Sequence, residues 1–213
     1  MENAIIFDMD GVLFDTETLG IQIAKETGAQ MGYSITEEMM HKVLGRDVKQ
    51  EQQVFQTHLG EDFDYGEYRA RYEQLLCRTV ETDGMPQKPG LFALLDALKE
   101  KHYKIAVATS THADRAMEFL KLGGVYPYLD AAVYGDMITH GKPEPDIYLC
   151  AAQKLRAEPE QCFVVEDSFA GVTAAYRAGM KPVMVPDILQ PDEPLKRLLF
   201  ACCKSLSDVI ALI

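Results

Sequence analysis

No stretch of this sequence is apolar for long enough to cross a membrane. Such a span needs about 18–20 residues, and every apolar run here breaks well short of that. Cysteine is sparse. Cys77, Cys150, Cys162, Cys202 and Cys203 make an odd count with no CxxC pair and no histidine at ligand spacing. That argues against a disulfide framework or a zinc site and fits free thiols in a reducing compartment. Positive charge is short as well: 21 Lys and Arg stand against 33 Asp and Glu, a net charge of −12. A field of that sign repels nucleic acid, and any anion site must be made locally positive by a metal ion and a few chosen donors. Internal repeats and low-complexity tracts are absent. The opening residues MENAIIFDMDG put acids where a secretory leader carries bases, so a cytoplasmic protein is expected.

What is present is ordinary globular material, 47% hydrophobic and 25% charged over 213 residues. That length suits one sizeable α/β core with a smaller inserted module. Short continuous apolar runs recur: AIIF at 4–7, KIAVA at 104–108, AAVY at 131–134, CFVV at 162–165 and PVMV at 182–185. Continuous rather than alternating, they read as parallel strands buried on both faces. Helical patterns at 91–100, 113–122, 146–155 and 169–178 separate them, predicting a doubly wound parallel sheet. One interval breaks the rhythm. Nearly a hundred residues separate the first two strands, and 18–76 holds helical patterns with no convincing strand, which reads as a helical lid. The tail after 187 predicts one helix or a short strand.

Four segments carry chemistry. In FDMDGVLFDT, Asp8 and Asp10 follow a strand and lie two apart, so on an extended chain they face one ligand, and Gly11 permits a sharp turn. A calcium loop would continue with further acids, whereas Val12, Leu13 and Phe14 follow. In KIAVATST, the Thr109 hydroxyl with the N–H groups of Ser110 and Thr111 can bind an anion, or can simply cap the next helix. In GKPEPDIY, Lys142 lies before a helix opened by Pro145 and Asp146 and offers a point charge to a phosphoryl group or carboxylate. In VVEDSFAG, Glu166 and Asp167 follow a buried strand at a helix start. They can be plain capping acids or, as oxygen donors, magnesium ligands.

In this order DMDGVLFDT, ATS, GKPEP and EDSFAGVTAAYRAG resemble the haloacid dehalogenase superfamily of phosphotransferases, over essentially the whole chain. Within it they resemble the subgroup with a helical cap inserted after the first motif, which contains β-phosphoglucomutase-like and sugar-phosphate phosphatase proteins. The resemblance implies a Rossmann-like core over 1–16 and 85–213 and a helical cap over 17–84. It implies that Asp8 attacks phosphorus to form an aspartyl-phosphate, and that Asp10 protonates the leaving oxygen and then deprotonates water. Thr109, Ser110 and Lys142 would bind phosphoryl oxygens. Mg²⁺ would be held by Asp8, the backbone carbonyl of Asp10 and Asp167, with Glu166 acting through water. Asp15 matches a structural aspartate. Substrate choice would lie in the cap, whose turn at 44–47 offers Arg46, and His112 would stand near the entrance.

The chain departs from the subgroup at one place. β-Phosphoglucomutases carry a histidine twelve residues after the nucleophile, and here that residue is Gly20. Hydrolysis of a small sugar or polyol phosphate is therefore expected, with a phosphohexomutase as the alternative. Dehalogenases proper lack an acid at the position of Asp10. A phosphorylated receiver switch would be shorter and without the insert. The expected partner is a small phosphorylated metabolite, with no nucleic acid or membrane, in a monomer or weak dimer.

Overall fold

The computed structural model describes residues 3–43 and 48–213. They separate into two compact units, Met1–Asp15 with Met85–Ile213, and Thr16–Gly84. The strands are β1 (Ala4–Phe7), β2 (Lys104–Ala108), β3 (Ala131–Val133), β4 (Cys162–Glu166), β5 (Lys181–Met184) and β6 (Ala201–Cys202). The helices are α1 (Thr16–Gln30), α2 (Glu37–Val43), α3 (Val48–Leu59), α4 (Tyr65–Asp83), α5 (Leu91–Glu100), α6 (Ala113–Leu122), α7 (Asp146–Leu155), α8 (Phe169–Arg177), α9 (Glu193–Lys196) and α10 (Leu206–Val209).

In the first unit the strands form one sheet in the order β3-β2-β1-β4-β5-β6, every neighbouring pair parallel. All four residues of β1 and all five of β4 are buried, as strands covered on both faces must be. On one face Ala4, Ile6, Ala106, Ala108 and Val164 pack with Ile147, Tyr148 and Ala151 of α7 and Ala174 and Ala175 of α8. Fully burying an aliphatic side chain such as Ile6 is worth ~1.5–3 kcal/mol, so this layer stabilises the strand ends that carry the acids. The sheet and its helices match the doubly wound architecture expected. The differences lie at element ends: β3 stops at Val133, β4 runs on through Glu166, β5 starts at Lys181, and α8 ends at Arg177. The tail holds both alternatives, β6 between the short helices α9 and α10.

The second unit contains α1 to α4 and, among the described residues, no strand. Its core gathers Ala24, Ile35, Met39, Met40, Val43, Phe55, Phe63, Tyr65 and Tyr68. Phe55 stacks on Phe63 with ring centroids 5.5 Å apart and meets Tyr68 at 4.8 Å, geometry favoured for aromatic pairs. Asp64 caps α4, its carboxylate accepting the Glu67 N–H at 2.9 Å. Arg46 lies outside the described residues. Among those described, no helix is long and apolar enough to cross a membrane.

Candidate active site

Chain order reverses at β1, since β2 and β3 lie to one side of it and β4 to β6 to the other. Ligands of open α/β sheets bind outside the carboxyl ends of the strands at such a point. Asp8 follows Phe7, which is paired with Val107 on β2 and Val165 on β4, and its N–H donates to the Val165 carbonyl at 3.0 Å. The chain then turns back on itself. Gly11 adopts φ +77°, and Gly11 N donates to the Phe14 carbonyl while Phe14 N donates to that of Met9. Glycine is required here twice over, because a Cβ at Gly11 would fall on the Asp167 carboxylate. The first and fourth motifs are therefore in contact.

Lys142 is the hub. Its buried ammonium donates to Asp8 Oδ1 at 2.5 Å and to Glu166 Oε1 at 2.7 Å. Glu166 is engaged on both oxygens. Oε1 also accepts the Tyr148 hydroxyl at 2.8 Å, and Oε2 accepts Asp167 N, Ser168 N and Ser168 Oγ, each at 2.9 Å. That arrangement suits an anchor for Lys142. Burial pushes the Glu166 carboxyl up, but Lys142 and the other donors more than offset it and hold it below its ordinary range. Burial likewise opposes the Lys142 charge, yet Asp8 and Glu166 keep its pKa well above the ordinary lysine value. Asp8 fares differently. Burial, with Glu166 and Asp10 adding to it, outweighs Lys142 and pushes its pKa up to about 7.

Space around the anchor is tight. A Cβ at Gly171, in the first turn of α8, would fall on the Glu166 carboxylate. Gly171→Ala is expected to lower the unfolding free energy by ~1–3 kcal/mol, as overpacking does, and to reduce activity by displacing Glu166 from Lys142. Urea denaturation followed by tyrosine fluorescence, alongside turnover, measures both.

The second motif holds Asp10. Thr111 donates its hydroxyl to Asp10 Oδ2 at 2.7 Å and Thr109 donates to the same oxygen at 3.4 Å. Thr109 Oγ1 in turn accepts the Thr111 N–H at 3.0 Å, so the turn after β2 is tied to the acid of the first motif. Ser110 is exposed, and Gly135 leaves room for its backbone carbonyl, where a Cβ would clash. Of the residues singled out from sequence, Lys142 thus joins Asp8 to Glu166, Thr109 bonds Asp10, and Asp167 lies against Gly11 of the turn that carries both aspartates. Asp15 pairs instead with Lys88 at 3.3 Å, and Lys88 also reaches Asp187 at 2.7 Å. His112 is exposed, its Nε2 3.8 Å from Asp136 Oδ2. Sequence reasoning missed the Thr111 hydroxyl and Tyr148. Both lie inside motifs it quoted, but one was considered only for its backbone and the other only as part of a helix.

A divalent cation can be tested against these residues. Among the described residues no group of three or more His, Cys, Asp or Glu side chains has the arrangement of a metal cluster. A hard ion that keeps several waters needs fewer side chains. The Asp167 carboxylate occupies the space left by the missing Gly11 side chain, beside the turn that carries Asp8 and Asp10. Asp8, pushed to about 7, shares its one ammonium with Glu166. All the donors are oxygens, the chemistry magnesium prefers, and the residues fit it.

Comparison with known proteins decides the family. The profile of the haloacid dehalogenase-like hydrolases matches residues 5–185. The chain belongs to that family. A relative from Thermotoga maritima, a phosphorylated carbohydrates phosphatase, is 33% identical over 180 residues, covering 84% of this chain and 83% of the relative. The fructose-1-phosphate phosphatase YqaB of Escherichia coli is 31% identical over 183 residues, 85% of this chain and 95% of its own. A Thermotoga maritima crystal structure with the provisional name β-phosphoglucomutase superposes with a TM-score of 0.86 at 30% identity, covering 100% of this chain and 98% of that one.

Proposed function

We propose that this haloacid dehalogenase-like hydrolase is a magnesium-dependent phosphatase of a small phosphorylated carbohydrate, a sugar or polyol phosphate. One observation carries the reading: Lys142 bridges a strand-end carboxylate, Asp8, to an immobilised one, Glu166, beside a second acid, Asp10. Asp8 attacks phosphorus, the bond to the ester oxygen breaks, and Asp10 protonates that oxygen as it leaves. Asp10 then takes a proton from water, which attacks the aspartyl-phosphate and returns Asp8 free with release of phosphate. Lys142, Thr109 and the backbone of Ser110 hold the phosphoryl oxygens, where negative charge gathers. Magnesium, held by Asp8, the Asp10 carbonyl and Asp167, would supply the positive charge that lets a carboxylate approach a phosphate dianion.

These groups recognise only a phosphoryl group and a cation, so choice among esters falls to the helical unit. The names of the relatives support a carbohydrate ester as the substrate. The mutase alternative has less support. Gly20 stands where a mutase carries histidine, and the Tyr72 hydroxyl lies 3.0 Å from where a side chain at 20 would begin.

Phosphate release from sugar, polyol and nucleotide monophosphates, with and without Mg²⁺, tests the reading. Hydrolysis confined to nucleotides, or full activity in EDTA, would sink it. Conversion of β-glucose 1-phosphate to glucose 6-phosphate without phosphate release would favour the mutase. Asp10→Asn should lower kcat by ~10²–10⁴, the usual contribution of a general acid–base group, while Mg²⁺ binding measured by calorimetry is retained.

A further inference from the structure

Of the buried side chains of α7, Ile147, Tyr148, Ala151, Ala152 and Leu155, only Tyr148 carries a polar group. The scheme above gives it no part. Packing needs the ring alone, and a phenylalanine would fill the same space. The hydroxyl instead donates to Glu166 Oε1 at 2.8 Å, the same oxygen that accepts Lys142 at 2.7 Å. The Lys142 ammonium also lies 4.9 Å from the centroid of the Tyr148 ring. The other oxygen of Glu166 is fixed by three donors, so the carboxylate has no freedom to rotate away. Hydroxyl and ammonium therefore share one acceptor oxygen, Glu166 Oε1. With the hydroxyl present, Glu166 Oε1 draws less on Lys142, which keeps its contact with Asp8 Oδ1.

We propose that Tyr148 is a positioning residue, whose hydroxyl acting through Glu166, and whose ring against the ammonium, set where Lys142 places its charge beside Asp8. The proposal rests on the phosphatase reading above. Tyr148→Phe keeps the ring and removes the hydroxyl, so Lys142 shifts toward Glu166 and away from the reacting group. Because the charge on phosphoryl oxygens builds toward the transition state, the loss falls on kcat rather than KM.

The test is a kinetic double-mutant cycle with the magnesium-loaded enzyme, using whichever ester of the panel the wild type turns over. Tyr148→Phe is expected to lower kcat about tenfold, the scale of a lost hydrogen bond to a charged group, with KM changed less than about twofold. In a Glu166→Gln background, followed by single-turnover assay, the same substitution should change the rate less than about twofold. Wild-type kcat in Tyr148→Phe, an effect confined to KM, or an undiminished effect in the Glu166→Gln background would each overturn the inference. Failure of Tyr148→Phe to fold, read by differential scanning fluorimetry, would assign the hydroxyl to stability and overturn it as well. No turnover of any ester by wild type would strike down the phosphatase reading itself.

Discussion

Asp8→Asn is expected to abolish phosphate release, with a loss of at least ~10⁴ and approaching the ~10⁶ seen when the nucleophile of a cooperating set is removed. The amide keeps the size of the side chain at the carboxyl end of β1, but it cannot displace an ester oxygen from phosphorus. The variant should nevertheless fold. The wild-type carboxylate is buried beside Glu166 and Asp10 and is pushed up to about 7, so an uncharged group there removes an electrostatic penalty. Thermal melting in EDTA should place the variant at or above the wild type. Acid-quenched wild-type enzyme should carry a phosphoryl group on the peptide containing Asp8, and the variant none. Turnover surviving in Asp8→Asn would reject the nucleophile.

The second large effect is expected at Lys142, and it touches stability as much as rate. Lys142→Met keeps an unbranched chain but leaves Asp8 and Glu166 buried without their shared cation. Breaking a buried ion pair from one side typically costs ~3–5 kcal/mol, far more than a surface pair. Activity should fall by at least ~10³, combining a lost phosphoryl contact with a displaced nucleophile. The stability deficit should depend on pH with a definite sign. In the wild type Lys142 holds the Glu166 carboxyl below its ordinary value, so its removal raises the folded-state pKa of Glu166, and raises that of Asp8 further above about 7. As pH rises through those windows the wild-type fold has released protons that the variant's fold still holds, so the variant loses stability relative to the wild type. Urea titrations in EDTA should show the largest deficit near neutral pH and a smaller one toward pH 4. A deficit independent of pH would mean that packing, and not charge, is what Lys142 provides.

The fold was legible where burial is two-sided. Ala4–Phe7 and Lys104–Ala108 read as strands because a parallel strand covered on both faces has no polar side to present. Leu91–Glu100 and Asp146–Leu155 read as helices because each lays one apolar stripe on that sheet. Glu166 was harder, since a carboxylate in a strand looks like the start of a loop until Lys142 and Tyr148 are brought to it from elsewhere in the chain, beside the donors of Asp167 and Ser168 that follow it. Ala201–Cys202 was illegible because a two-residue edge strand carries no periodicity. At the site, residue types and spacing pointed to Asp8, Asp10, Lys142 and Asp167. They could not reveal that Thr111 would hold Asp10 or that Tyr148 would reach Glu166, because both contacts depend on how separate crossovers are laid against one another.

The place of β1 in the sheet has a bearing on how the protein breathes. With β2 and β4 on either side, each residue of β1 has a partner on both neighbours, while β3 and the two-residue β6 form the margins of the sheet. Fraying starts at margins, where the fewest bonds must be given up. Asp8 hangs from the rung that opens last, so local openings at either border leave its position intact.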